Sequence, residues 1–408
     1  MRAEARWIPG RSRQRSTTER LAELGWGRLA LWALALTGGL AMVYRLVRGL
    51  GATTHLNDAW PWGWWIAFDV MGGVALAAGA FVVAAWVHLF GKHRYAPLAR
   101  PAVLTGFLGY LMVIAGLLMD LGRPYRIWHP IVMWQPHSVM FEVAWCVMVY
   151  TTVLAFEFSP VALEGLGWHR ACRAVRRALV PMVILGVVCS VLHQSSLGSL
   201  LLIATYRMDP LWYSPLLPVL FFVSAVAAGL GMIQLEAAAA SRVYRHRVEP
   251  ALVEGLARGM AWMLALYLAL RLGDWVSRGQ GPWTRPVSLE SVAAGLEVLV
   301  GAALPALIMS RKSWRQSARA RLVAAGLAVV GVIANRIDSV LVSMRAGAGA
   351  AYVPSLLELW VTGAIVAAGV LGYDWVARHW PLFVEEPDAL PEEAKTQESR
   401  RPVGVTAS

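Results

Sequence analysis

Residues 65–90 read WIAFDVMGGVALAAGAFVVAAWVHLF, and this stretch decides the fold. It contains one carboxylate, Asp69, and neither lysine nor arginine. A helix that crosses the hydrocarbon core of a bilayer needs about 20 predominantly apolar residues. The stretch meets that requirement, and we predict that it forms one membrane-spanning helix.

Comparable apolar stretches recur along the rest of the chain, with short loops between them. We therefore expect an all-α fold, a polytopic transmembrane helical bundle of about ten spans. Long helices joined by short turns also predict one or two four-helix bundles. The predicted spans are 28–50, 65–90, 99–119, 138–158, 178–204, 214–240, 253–276, 288–310, 319–341 and 354–378.

Composition supports a membrane protein and excludes a soluble globule. The chain has 58% apolar and 15% charged residues, and its mean hydropathy is +0.53. Most of its leucine, valine and alanine would be exposed to water unless the lipid bilayer covered them. The net charge of +12 does not indicate a nucleic-acid partner, because the basic residues lie in loops between apolar spans rather than on one soluble face.

Basic residues alternate between the two sides of the predicted bundle. The N-terminal segment, the loops after every second span and the C-terminal stretch hold 27 of the 37 lysines and arginines. By the positive-inside rule, this predicts that both termini are cytoplasmic in an inner (cytoplasmic) membrane protein. We expect a basic N-terminal segment at 1–27, a ten-helix domain at 28–378 and a tail of disorder-like composition at 379–408. The first span is too long for a signal peptide and should remain.

Three cysteines carry no recognisable metal or disulfide pattern. Cys146, Cys172 and Cys189 form no CxxC and no cluster with histidine. We therefore expect no metal site, no disulfide framework and no iron–sulfur cluster in this chain. Any cluster that delivers electrons must lie on a partner protein.

Glu142 and His193 are the ionisable residues that best indicate a site inside the membrane. A charged or titratable side chain in a span is costly and is by default a hypothesis of function. Glu142 is either a proton-exchanging carboxyl or an interfacial anchor paired with Arg123 or Arg126. His193 is either a switchable donor to a ligand or a structural histidine bonded to a neighbouring helix.

Further polar residues fall on the same side of the predicted bundle. Tyr110, Asp120 and Arg123 add a phenol, a carboxylate and a guanidinium there. Several other acidic residues have ordinary explanations, such as ion pairs of Asp274 with Arg271 and of Asp338 with Arg336 or Arg345. The residues that we expect on a proton path are Glu297, Glu236 and Asp69, with Glu157 and His88 as further candidates. The open alternative is that Glu236, Glu157 and His88, which lie toward the inner ends of their spans, only meet the lipid headgroups.

A haem between two histidines is not favoured. It requires two facing histidines at similar depth. Only His193 lies well inside a span, although His137 could face it near the outer surface. We expect no haem in this chain.

Three segments resemble one known family of membrane subunits. They are DLGRPYRIW at 120–128, HQSSLG at 193–198 and DPLWYSPLLP at 209–218. The chain resembles the NrfD/PsrC membrane subunits over roughly residues 28–378. It is most similar to the HybB branch, which occurs with nickel–iron uptake hydrogenases.

The resemblance implies a haem-free, quinone-reactive subunit of a respiratory oxidoreductase, with menaquinone or ubiquinone as its substrate. It implies a periplasmic, ferredoxin-like iron–sulfur partner and, beyond it, the catalytic subunits of a hydrogenase or related enzyme. Glu142 and His193 match family positions linked to quinone and proton handling. Tyr110, whose match allows a shift of a residue or two in the third span, is expected to serve the other quinone oxygen beside His193. Asp120 and Arg123 match the DLGRP motif and are expected to help bind the quinone, with a structural role for this motif as the open alternative.

Two readings from other classes stay open. A proton-coupled secondary transporter would bind its substrate at broken helices, and Gly72-Gly73 and Gly229-Leu-Gly231 lie within spans, although such glycines are more often close-packing sites. A structural anchor would only tether a peripheral enzyme. Tryptophans crowd the outer helix ends, which indicates an aromatic belt or a docking platform.

Overall fold

The computed structural model describes residues 25–349 and 352–383, and in this part of the chain it is all helical. Within these described residues, ten helices are long and apolar enough to cross a membrane, which confirms the expected polytopic bundle. We label them α1 to α10. They are α1 Trp26–Arg48, α2 Trp65–His88, α3 His93–Asp120, α4 Val139–Gly165, α5 Leu179–Arg207, α6 Leu217–Val243, α7 Pro250–Thr284, α8 Leu289–Ser310, α9 Ala318–Val342 and α10 Leu356–His379.

The predicted bounds agree with these helices to within several residues. α4 extends beyond the predicted end at 158, because residues 159–165 are still mainly apolar and the helix continues through Pro160. A helix that we did not predict, His169–Arg177, lies between α4 and α5. The basic N-terminal segment and the tail fall largely outside the described residues, and the orientation of the termini remains a prediction.

The spanning helices form two four-helix bundles. α2 to α5 pack around one interior, α6 to α9 pack around a second, and α2 and α6 meet between them. α2 and α6 are the most buried helices, as expected for the pair at the joint. At their contact a Cβ added to Gly79 would lie 2.8 Å from the carbonyl oxygen of Gly229, so only glycine permits this approach.

α1 and α10 pack chiefly against each other, outside the two bundles. Arg28 at the start of α1 forms an ion pair with Asp374 near the end of α10, at 3.0 Å. Arg45 is buried and donates to the carbonyl oxygens of Met119 and Leu121, both at 2.7 Å. It thereby satisfies carbonyls that the C-terminal turn of α3 leaves without partners.

Three spanning helices contain short π-helical segments, at Trp65–Gly72 in α2, Leu299–Ala303 in α8 and Asp338–Val342 in α9. Such segments insert one extra residue into a turn and are frequent at functional sites. Asp69 and Asp338 lie within two of them, and Glu297 lies just before the third.

Candidate functional site

The interior of the first bundle holds a pair of buried polar rings. Tyr110 of α3 and His193 of α5 have no solvent exposure, and the Tyr110 Oη lies 2.8 Å from the His193 Nδ1. Tyr150 of α4 packs edge-on against the Tyr110 ring, with ring centroids 4.7 Å apart. Three helices of one bundle therefore fix the position of His193.

The second ring nitrogen of His193 has no hydrogen-bond partner. Its Nε2 is buried within the described part of the chain and bonds to no protein atom there. A buried polar atom that stays unpaired is costly, and its presence indicates a ligand, a water or a functional state. Because Tyr110 occupies the Nδ1, the Nε2 is the atom that remains for a ligand.

Glu142 of α4 is connected by a hydrogen bond to α5, the helix that carries His193. Its Oε1 accepts a hydrogen bond of 2.6 Å from Ser196, which follows His193 by three residues on α5. Residues three apart share one face of a helix. Glu142 is half-buried in the first turn of α4, after the N-cap Ser138. The expected alternative, an anchor paired with Arg123 or Arg126, is wrong, because Glu142 forms no ion pair within the described residues and both arginines are exposed.

The rest of the HQSSLG segment packs α5 against its neighbours. Gln194 donates to the carbonyl oxygen of Val74 in α2, at 2.8 Å. The Ser195 hydroxyl bonds only to backbone carbonyls of its own helix. A Cβ added to Gly198 would lie 2.5 Å from the Leu217 carbonyl oxygen, so α6 begins in direct contact with this glycine.

Tyr150, next to the pair, was not among our candidates, whereas Glu157 was expected near the inner end of its span. Tyr150 lies beside Ser190 and within electrostatic range of Glu157. The Glu157 Oε1 is 3.1 Å from the position that a Cβ would take at Gly186 in α5. Glu142, Tyr150 and Glu157 follow one another at intervals of eight and seven residues, which places them on one face of α4. That spacing was the signal in the sequence.

The DLGRP segment lies apart from the Tyr110–His193 pair. Arg123 is exposed, and Asp120 lies within electrostatic range of Arg45 and Glu358. One Asp120 oxygen is buried and accepts no hydrogen bond from the part of the chain that the structure describes. The structure therefore places Asp120 with α1 and α10, ten residues beyond Tyr110 on α3.

Asp69 belongs to the same side of the protein as Asp120. Its Oδ2 accepts from Thr362 at 2.6 Å, and Trp64 donates to the same threonine at 3.0 Å. Nearby, the Tyr352 hydroxyl donates to Glu358, which also closes the N-terminal capping box of α10. Burial raises the pKa of Tyr352 well above its usual range, so the phenol stays neutral and donates.

Glu236 of α6 lies beside Thr105 of α3, five residues before Tyr110. Its Oε1 accepts from Tyr373 of α10 at 2.7 Å, and its Oε2 has no partner in the described residues. It lines a small cavity with Pro97, His246 and Phe383. No contact in the structure joins it directly to His193.

Glu297 is the centre of a separate buried cluster in the second bundle. It accepts hydrogen bonds from Trp212 at 3.1 Å, from Tyr267 at 3.2 Å and from Asn335 at 2.6 Å. Arg336 is also buried there and donates to the Asn335 side chain. The two bundles thus each enclose a polar centre, built from different residues.

The two ion pairs expected from the sequence are wrong. Asp274 pairs with Arg278 at 2.6 Å and accepts from Ser214, whereas Arg271 donates to the Leu211 carbonyl oxygen. Asp338 forms no ion pair within the described residues. Arg336 lies two residues before it and turns to the interior of the second bundle, because residues two apart do not share a helix face.

The donor set does not fit a metal centre or a haem held between interior histidines. Among the described residues, no group of three histidine, cysteine or carboxylate side chains could hold a metal ion. His193 is the only described histidine that is fully buried, and His137 is exposed in a loop. The three cysteines are free and buried.

The loop before α4 presents a strongly aromatic, exposed surface. We call residues 121–138 the aromatic loop; it lies outside the two flanking spans. Trp145 of α4 donates to the Pro130 carbonyl oxygen at 2.9 Å, and the Trp134 ring packs 5.0 Å from Trp145. Its exposed large apolar side chains are Tyr125, Trp128, Ile131, Val132, Met133 and Trp134. The surface is therefore fixed to the helix that carries Glu142.

Comparisons with known proteins identify the family and several relatives of this chain. Residues 52–343 match the family described as polysulphide reductase, NrfD. A protein of Nitratidesulfovibrio vulgaris is 36% identical, over 89% of this chain and 95% of the relative. The probable Ni/Fe-hydrogenase 2 b-type cytochrome subunit of Escherichia coli is 31% identical, over 84% of this chain and 89% of its own length. The menaquinone reductase integral membrane subunit of N. vulgaris is 34% identical over 40% of each chain.

Proposed function

The chain belongs to the polysulphide reductase NrfD family, and from this premise we propose that it is the quinone-reactive membrane subunit of a respiratory oxidoreductase. The observation that carries the proposal is the buried Tyr110–His193 hydrogen bond, which leaves the His193 Nε2 free for a ligand. The relative named menaquinone reductase subunit supports the choice of ligand. The substrate is menaquinone or ubiquinone.

His193 can serve both redox forms of a quinone. The quinone carbonyl oxygen accepts a hydrogen bond, so the Nε2 must carry a proton and Tyr110 donates to the Nδ1. The quinol hydroxyl donates, so the Nε2 must be unprotonated and the Nδ1 donates to the Tyr110 oxygen. A phenol both donates and accepts, and Tyr110 therefore supports either tautomer. This assigns Tyr110 to His193, in place of the direct contact with the second quinone oxygen that the sequence first indicated.

Glu142 supplies or removes protons at the same site. Reduction of a quinone to a quinol takes up two electrons and two protons, and oxidation releases them. Glu142 is half-buried at the start of α4, and Ser196 connects its carboxylate to the helix face of His193. We assign it to proton exchange with the aqueous phase at this end of the protein.

The electrons come from a periplasmic, ferredoxin-like iron–sulfur partner that docks on the aromatic loop. Exposed tryptophan, tyrosine and methionine are enriched in protein interfaces, and this loop leads directly into the helix of Glu142. The relative named as a Ni/Fe-hydrogenase subunit supports a hydrogenase as the catalytic partner. The membrane is the inner membrane, with the aromatic loop on the periplasmic side.

A proton path across the membrane would use Tyr150 and Glu157 first. Tyr150 packs against Tyr110, and Glu157 lies within electrostatic range of Tyr150, whereas Glu297, Glu236 and Asp69 have other hydrogen-bond partners. We assign Asp120 and Arg123 a structural role where α3 meets the aromatic loop, rather than a role in binding the quinone. No step is assigned to a haem, because the described histidines do not fit one.

The test uses the assembled complex in lipid nanodiscs, with quinone reduction measured against its electron donor. We expect Glu142→Gln and His193→Ala to lower turnover strongly while the complex remains intact. Wild-type turnover in both variants would refute the proposal and leave the anchor alternative. Substrate uptake into proteoliposomes without any partner would instead support the transporter alternative.

A further inference from the structure

A short basic helix follows the end of α4, at the opposite end of that helix from Glu142. We call His169–Arg177 the surface helix; its sequence is HRACRAVRR. It connects the end of α4 at Gly165 with the start of α5 at Leu179. It therefore lies where two spanning helices leave the membrane, at the level of the lipid headgroups.

One side of the surface helix is attached to the protein. Cys172 is buried, and Arg176 forms an ion pair with Glu164 of α4. Arg100 of α3 pairs with the same carboxylate at 2.9 Å. These contacts fix the rotation of the helix about its axis, so the remaining side chains have a defined direction.

The other side of the surface helix presents three arginines without partners. Arg170, Arg173 and Arg177 are exposed, and none forms an ion pair within the described residues. Their spacing of three and four residues places them in one row along the helix. At a rise of about 1.5 Å per residue, the row is about 10 Å long.

Apolar side chains flank this row. Leu166 and Trp168 before the surface helix are exposed, as is Val180 directly after it. Exposed apolar residues beside a row of cations are typical of a helix that lies in the plane of a membrane interface. Water alone would not stabilise this combination, whereas a headgroup layer would accommodate both kinds of side chain.

We propose that the surface helix binds the phosphate groups of anionic phospholipids, such as phosphatidylglycerol or cardiolipin. Arginine forms bidentate hydrogen bonds with phosphate oxygens. Three guanidiniums without protein partners favour lipids that carry a net negative charge, because no amine in the headgroup neutralises the phosphate. The bound lipids hold together the adjacent ends of α4 and α5, the two helices that carry Glu142 and His193. The binding does not depend on the proposed quinone reaction.

The test measures binding of defined phospholipids to the purified full chain in detergent micelles. The triple variant is Arg170→Gln, Arg173→Gln, Arg177→Gln. We expect its affinity for phosphatidylglycerol, measured by native mass spectrometry, to be lower than that of the wild type. Each removed cation lowers it by about fivefold, or on the order of 100-fold in total. Binding of phosphatidylethanolamine should not change.

A matched control removes three cations from another loop at the same end. Arg311→Gln, Lys312→Gln and Arg319→Gln should leave phosphatidylglycerol binding within about twofold. The three arginines replaced by lysine should retain part of the binding, and thermal unfolding in phosphatidylcholine nanodiscs checks that each variant is folded. Equal loss in the control, or undiminished binding in a folded glutamine variant, would overturn the proposal.

Discussion

Replacing Tyr110 by phenylalanine removes one atom from the proposed site and leaves its packing in place. The ring still packs edge-on against Tyr150, so no cavity forms. The lost hydroxyl is the partner of the His193 Nδ1, and both residues have no solvent exposure. His193 is then left with neither ring nitrogen bonded to the described protein.

The magnitude follows from the cost of an unpaired buried group. Leaving a buried donor or acceptor without its partner costs about 1–3 kcal/mol. If the same interaction orients the imidazole in the transition state, about 1.4 kcal/mol corresponds to a tenfold change in rate. We therefore expect Tyr110→Phe to lower quinone turnover by about 10–100-fold, with a modest loss of thermal stability.

A second buried tyrosine provides the control. Tyr352→Phe removes a phenol that donates to Glu358 and forms no hydrogen bond with Tyr110 or His193. It should lower the unfolding temperature to a similar degree and leave turnover per folded complex unchanged. Turnover is measured on the assembled complex with a short-chain menaquinone analogue, and folding is measured by thermal unfolding in nanodiscs. The reasoning is refuted if the two variants lose stability equally and neither loses turnover.

Three further outcomes test other parts of the structure. Ser196→Ala should lower turnover about tenfold, because Glu142 loses its hydrogen bond. Ser195→Ala removes only hydrogen bonds to the backbone and should not lower turnover. Equal effects of the two variants would contradict the role of Ser196. Gly198→Ala should cost about 1–3 kcal/mol of stability, measured by unfolding, because its Cβ meets the backbone of α6, and Gly295→Ala, with open space around it, should be tolerated. The purified chain should show no Soret absorption; a haem spectrum would overturn the assignment of a haem-free subunit.

The spanning helices were predictable because hydrophobicity is a local property of the sequence. The stretch at residues 65–90 identifies α2 without reference to any other helix. The depth of His193 and Glu142 could also be read from their positions in the spans. What could not be read is the rotation of each helix, which decides whether Tyr110 meets His193 or faces lipid.

Contacts between polar residues were predicted less well, since they depend on packing between helices. Arg271 lies one turn from Asp274, and yet its nearest acceptor is the backbone of the loop before α6. Arg123 belongs to a recognisable motif and is exposed, because α3 ends before it and the chain turns outward. The π-helical segments gave no signal in the hydropathy pattern.

Because α1 packs against α10, the first spanning helix to be synthesised has no helical partner until the last one has been made. Roughly 300 residues separate the end of α1 from the start of α10. At about 5–20 residues per second, the ribosome takes about 15–60 s to supply the missing partner. Throughout that interval one face of α1 is covered by lipid alone. Synthesis of α10 is therefore the step that completes the packing of α1. A truncated product that ends before Leu356 leaves α1 without its partner helix, and cellular quality control can recognise that exposed face.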